Sequence, residues 1–141
     1  ETSFGLIQGI FRVDELLSSA NRVLLKIEKG YPGNADLVLD NISITPFEPS
    51  CDDNLVMNGD FSDGTSAFWG PWGQVTLSMV QGKDLTQNSA LKSSSRAHQG
   101  WGQSQELIGN CLFAGDRIAV RAMVKYEVDG QTALCNPFSC T

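Results

Sequence analysis

The chain has 141 residues, with 16 acidic and 10 basic side chains, a formal net charge of −6 and a pI near 4.6. That length fits one domain, and a hydrophobic share of 41% supplies one core and argues against intrinsic disorder. No apolar run approaches the ~20 residues of a membrane-spanning helix, and no basic cluster appears in the sequence, so a phosphate-backbone partner is not expected.

The hydrophobic period along the chain is mostly two. Asp14 to Ala20 reads as a loop or a short helix, because it shows neither a cap nor a full apolar stripe. Asn21 to Glu28 reads as a strand with Val23, Leu25 and Ile27 inward. Gly30 to Gly33 then makes a turn. Ala35 to Thr45 is a longer strand, with Val38, Asp40, Ile42 and Ile44 predicted on one face. The two prolines and polar residues around Pro49 to Asp53 read as a linker. Turn signals follow at Asn58-Gly59, Asp63-Gly64 and Gly70-Pro-Trp-Gly73. Val75 to Val80 and Gln103 to Ile108 are short strand candidates. The clearest strand is Asp116 to Glu127, with Ile118, Val120, Ala122, Val124 and Tyr126 on one face. Short strands separated by such turns predict an all-β, two-sheet antiparallel sandwich.

Cys51, Cys111, Cys135 and Cys140 form an even set. A zinc site needs paired short spacings, and Cys135 and Cys140 have four intervening residues with no second pair. Disulfides are the preferred reading, Cys51–Cys111 with Cys135–Cys140 ahead of the other two pairings, and buried free thiols are the alternative. Asn41-Ile42-Ser43 is an N-glycosylation triplet that suits a secreted protein, although it falls within a predicted strand. The start at Glu1 and the stop just after Cys140 suggest an excerpt of a longer, secreted or cell-surface chain.

Asn54-Leu-Val-Met-Asn-Gly-Asp-Phe-Ser-Asp-Gly64 resembles the opening strand of the jelly-roll carbohydrate-binding modules of families 4, 9 and 22. The likeness continues in family order through Trp69-Gly70, Trp72-Gly73, Asn88 to Ser93, Arg96 before Trp101-Gly102, and Leu112 to Lys125. Ile10 to Val13, Arg22 to Ile27 and Asp36 to Ile44 resemble the final three strands of the same module. The resemblance therefore implies a jelly roll in two pieces: residues 1–48 the closing half of one module, 49–53 a linker, and 54–141 the opening half of the next. The two halves complete one circularly permuted sandwich if the repeats are alike.

The same resemblance implies a non-catalytic, polysaccharide-binding function. Trp101 matches a ligand-stacking position, with Arg96, Gln103 and Gln105 as hydroxyl partners and Trp72 as a further ring. Trp69 and Tyr126 are expected in the core or at its edge. It also implies a structural Ca²⁺ near Asp40, Asp60, Ser62 and Asp63, although Ser62 and Thr86 stand where relatives carry Glu. No nucleophile elbow or phosphate loop is present, and His98 is the only histidine, so catalysis is not expected. The alternative function is a structural jelly-roll repeat that packs against neighbouring copies in an extracellular assembly.

Overall fold

The computed structural model describes residues 4–27, 35–46, 54–83, 89–107 and 111–133. Nine strands and one short helix occur among them: β1 (Gly5–Arg12), α1 (Glu15–Ser18), β2 (Leu24–Ile27), β3 (Asp36–Pro46), β4 (Gly70–Trp72), β5 (Thr76–Gln81), β6 (Ser89–Ser94), β7 (Gly102–Glu106), β8 (Arg117–Val128) and β9 (Gln131–Ala133). The larger sheet has six strands in the order β1-β8-β3-β6-β5, with β9 also on β8; the smaller has three, β2-β7-β4. Every pairing is antiparallel. The protein is an all-β sandwich.

Strands from both sides of the expected linker share these sheets. β3 pairs with β6 and β8, β1 with β8, and β2 with β7. Ile42, Val56 and Phe61 lie in one core cluster with Leu37, Leu39, Leu91 and Ile118. The linker at 49–53 lies outside the described residues.

β8 follows its sequence alternation: Ile118, Ala122 and Val124 are buried in the core, while Arg117 and Arg121 are exposed. β3 departs from its expected alternation. Its register against β8 shifts between Asp40 and Ser43, and Asn41 adopts φ 50, so one extra residue is accommodated there as a bulge. Leu37 and Leu39 therefore share the core with Ile42 and Ile44, and Val38 and Asp40 turn to the opposite face. A bulge inverts facing in this way, and plain alternation across it does not hold.

Three other expectations change. The helix at Glu15 has a cap after all, since the Asp14 carboxylate accepts the Leu17 N–H at 2.7 Å. Gly70-Pro-Trp, read as a turn, forms β4, an edge strand where the missing proline N–H costs no ladder bond. Asn54 to Gly64, the expected opening strand, is a succession of turns. Its backbone is stitched to β3 by the Ile42 N–H on Gly59 O (2.7 Å) and the Leu55 N–H on Ile44 O (2.8 Å). Asn54 adds the Ile44 and Val56 N–H groups to its side-chain oxygen. Gly59 is required there, because a Cβ would run into Ile42 O.

Candidate functional site

β7 runs down the middle of the smaller sheet, so alternate side chains on it meet either the core or solvent. Gln103 and Gln105 take the core side. Gln103 is fully buried, and its side-chain oxygen meets the Ser93 hydroxyl of β6 across the sandwich. Its Nε2 is buried with no hydrogen-bond partner among the described residues. Gln105 is equally shut in, and its amide accepts from Met57 N–H and donates to Met57 O, both at 2.7 Å.

Arg96 is also buried, at 3% exposure, and all three guanidinium nitrogens donate to backbone carbonyls. Nε reaches Trp101 O (2.7 Å), Nη2 reaches Gln99 O (3.0 Å) and Nη1 reaches Ala35 O (3.2 Å). Burial lowers its pKa from the usual guanidinium value, with Tyr126 and Asp36 opposing that shift. Burial in turn raises the Tyr126 phenol, and Arg96 partly offsets it. Arg96, Gln103 and Gln105 were expected along an open groove; the fold instead buries all three, Arg96 and Gln105 tying loops to the sandwich and Gln103 bridging its two sheets. Polar side chains alternating on a strand look solvated in sequence, and only the second sheet shows that they are covered.

Trp101 is half-buried. Its ring lies against Gly73, where a Cβ would collide with the indole, and tilts toward His98 with centroids 6.1 Å apart. Trp72 is the more open ring at 37% exposure. The two rings are neighbours along the chain path, because Trp72 pairs with Gly102 and Gly73 carries Trp101. Lys26 of β2 extends across Ser104 of β7 and sets its ammonium 3.3 Å above the Trp72 ring centroid. Glu106 holds Arg22 on the same outward face at 2.8 Å. Trp69, by contrast, is core: it packs on Phe61 at 5.8 Å and donates Nε1–H to Asn58 O.

The expected calcium ligands do not gather. Among the described residues no group of three or more His, Cys, Asp or Glu side chains comes together for a metal. Asp40 is fully buried and accepts the Lys83 N–H at 2.8 Å. Asp60 closes a turn onto the Ser62 N–H and hydroxyl. Asp63 does the same with Thr65, whose N–H and hydroxyl hold the Asp63 carboxyl below the usual range. Thr86 lies outside the described residues.

Cys111 is not a free thiol. Cys51, Cys135 and Cys140, and with them the expected pairing, lie outside the described residues. Asn41 of the glycosylation triplet is exposed at the β3 bulge, beside an open polar cleft of about 390 Å³ that includes Ser43, Asn54 and Asp60. No helix among the described residues is long and apolar enough to cross a membrane. Comparison with protein-family models, curated proteins and solved structures gives no match for this chain.

Proposed function

We propose that the protein is a non-catalytic polysaccharide-binding module that engages its glycan on the outward face of the three-stranded sheet. The observation that carries this reading is Trp72, an open indole on the outward face with the Lys26 ammonium over its ring. The apolar face of a sugar stacks on such a ring, and nearby polar groups orient its hydroxyls. Lys26 covers one face of the ring on a flexible stem, so its ammonium can move to a hydroxyl when a sugar takes that face. Ser104 and Glu106 supply further polar groups alongside. Trp101, packed on Gly73, supports the loop that follows Trp72. A secreted, tandem-module parent with paired cysteines belongs to the same reading.

Titration with soluble β-glucan, xylan and laminarin tests it. Stacking on one aromatic ring is worth ~1–3 kcal/mol, so Trp72→Ala is expected to weaken binding by about ten- to a hundredfold at an unchanged melting temperature. Wild-type protein that binds none of the three glycans, or a Trp72→Ala variant of unchanged affinity, refutes the reading.

A structural repeat within an extracellular assembly is the second reading, favoured by β1. Leu6, Ile7 and Ile10 on that terminal strand of the larger sheet are 54–56% exposed. An open apolar edge of this kind suits packing against a neighbouring copy.

A further inference from the structure

Asn41-Ile42-Ser43 is the only Asn-x-Ser/Thr triplet in the chain, and it falls within β3. A regular strand would spoil it as an attachment site. Leu37 and Leu39 face the core, so continued alternation would send Asn41 inward as well. The bulge changes this. Ile42 takes the core position, and Asn41 turns out to solvent. Asn41 holds φ 50, a left-handed conformation that Asn tolerates better than most residues.

The backbone around Asn41 also leaves the sheet. β6 pairs with β3 only from Leu37 to Leu39, and the β8 register passes from Asp40 to Ser43. Asn41 and Ile42 thus stand outside the ladder, and the Ile42 N–H bonds Gly59 O in the turn segment instead. Among the described residues, the Asn41 amide and the Ser43 hydroxyl make no hydrogen bond. Beside them lies the open polar cleft of about 390 Å³, lined in part by Asn54, Asn58 and Asp60. Asp60 commits one carboxylate oxygen to Ser62, which leaves its second oxygen to accept from a hydroxyl.

We propose that Asn41 is the attachment site of an N-linked glycan, and that the first sugar of that glycan settles on this cleft. The inference rests on the secreted reading, since the sugar donor is met in a secretory pathway. That donor is an oligosaccharide carried on a lipid diphosphate. The Asn41 Nδ2 bonds to the anomeric carbon of its first sugar, the bond from that carbon to the phosphate oxygen breaks, and the lipid diphosphate leaves. One amide proton passes to a base on the transferase, and nothing is oxidised or reduced. A glycan is bulky and hydrophilic, so its carrier must lie at the surface of the folded chain. The bulge meets that demand within an otherwise covered strand. A sugar hydroxyl that donates to the Asp60 carboxylate makes a charge-assisted bond, stronger than a neutral one. The site belongs to the larger sheet, so a glycan there leaves the Trp72 face of the smaller sheet open.

The test is to export the full chain through a yeast secretory pathway and, separately, into a bacterial periplasm, where disulfides also form and the asparagine stays bare. Wild-type protein from yeast is expected to carry a mass increment that peptide-N-glycosidase removes. Asn41→Gln and Ser43→Ala should each abolish the increment, and Ser43→Thr should keep it. The enzyme converts the carrier asparagine to aspartate, so peptide mapping of the wild type locates the site even where a variant is not secreted. Melting temperature reads the seat of the first sugar. The glycosylated form should melt about 2–4 °C above the bare form, and Asp60→Ala should at least halve that gain. The gain compares two forms of one variant, so the turn lost in Asp60→Ala cancels. Absence of a glycosidase-sensitive increment overturns the attachment site, as does an increment that survives Asn41→Gln or maps elsewhere. Equal melting with and without the glycan, or an undiminished gain in Asp60→Ala, overturns the seat on the cleft. Neither arm depends on β-glucan, xylan or laminarin binding, so failure here is distinguishable from failure of the Trp72 site.

Discussion

Gln105 grips the backbone of Met57 through both ends of its amide, each bond 2.7 Å long. This pair joins the central strand of the small sheet to a turn segment that contains no strand pairing of its own. Gln105→Leu keeps much of the volume and leaves the Met57 N–H and C=O without their partners. Two orphaned backbone groups at ~1–3 kcal/mol each, partly relieved by water, predict a loss of about 2 kcal/mol in urea unfolding. Glycan affinity should not change. A variant as stable as wild type would show that the clasp contributes nothing.

That clasp marks where sequence reading succeeds and fails. β8 was legible because its apolar residues turn to the core while Arg117 and Arg121 on the other face meet solvent, which is the condition under which period two appears. β1 was nearly invisible to periodicity, since both of its faces are exposed and carry apolar residues. Gln103, Gln105 and Arg96 looked like surface residues by type. Gln105 and Arg96 bond backbone groups brought from up to 61 residues away, and Gln103 meets the Ser93 hydroxyl of the other sheet; residue type carries no record of such partners. Register is hidden in the same way: Arg12 and Arg117 become neighbours only through strand pairing. Trp72 and Trp101 were legible as aromatics in glycine-rich stretches, but which ring is open was settled by Gly73.

Gly73 should be intolerant of any side chain. Its φ is 84°, and a Cβ would strike the Trp101 ring. Gly73→Ala therefore combines backbone strain of ~1–3 kcal/mol with displacement of the indole. A lower melting temperature and an altered tryptophan emission are expected together. In a Trp101→Ala background the same substitution should cost only the backbone part. Equal costs in both backgrounds would show that the ring contact is irrelevant.

The carboxylate–lysine network across β6, β3 and β8 predicts an acid-sensitive contribution to stability. Burial raises the Glu127 pKa, but hydrogen bonds and charge from Lys125 and Lys92 outweigh it, and the net shift is downward from 4.5. A depressed carboxylate stabilises the fold above its unfolded pKa, and that stabilisation is lost as the pH falls through the folded value. Lys92 behaves oppositely: its bond with Asp36 raises its pKa above 10.5, burial opposes this and Glu127 adds to it. Its contribution is complete at neutral pH and disappears only in strong alkali. These side chains are largely enclosed, so breaking the pairs costs at least the ~1 kcal/mol of an exposed pair, or about 4 °C. Glu127→Gln should thus lower the melting temperature by at least about 4 °C at pH 7 and by much less at pH 3. An equal loss at both values would remove charge as the cause.

β1 gives the prediction that separates the two functional readings. Its Leu6 and Ile10 are 56% and 55% exposed on one face, Ile7 is 54% and Phe11 41% exposed on the other, and Arg12 is its only charge. Edge strands that avoid pairing carry inward charges, prolines or bulges, and β1 has none of these between Leu6 and Phe11. If the module acts as a repeat in an assembly, this strand is the surface that meets the next copy. Fully burying a Leu or Ile side chain is worth ~1.5–3 kcal/mol, so even partial burial of the two outward residues would shift an association constant by about tenfold or more. Sedimentation velocity over a hundredfold concentration range should then show reversible self-association. Ile10→Lys should abolish it by placing a charge at the centre of the contact, while leaving the melting temperature unchanged because Ile10 is outside the core. A wild-type protein that stays monomeric across the range, and that still binds glycan through Trp72, would leave the edge without a role in assembly and the binding-module reading standing alone.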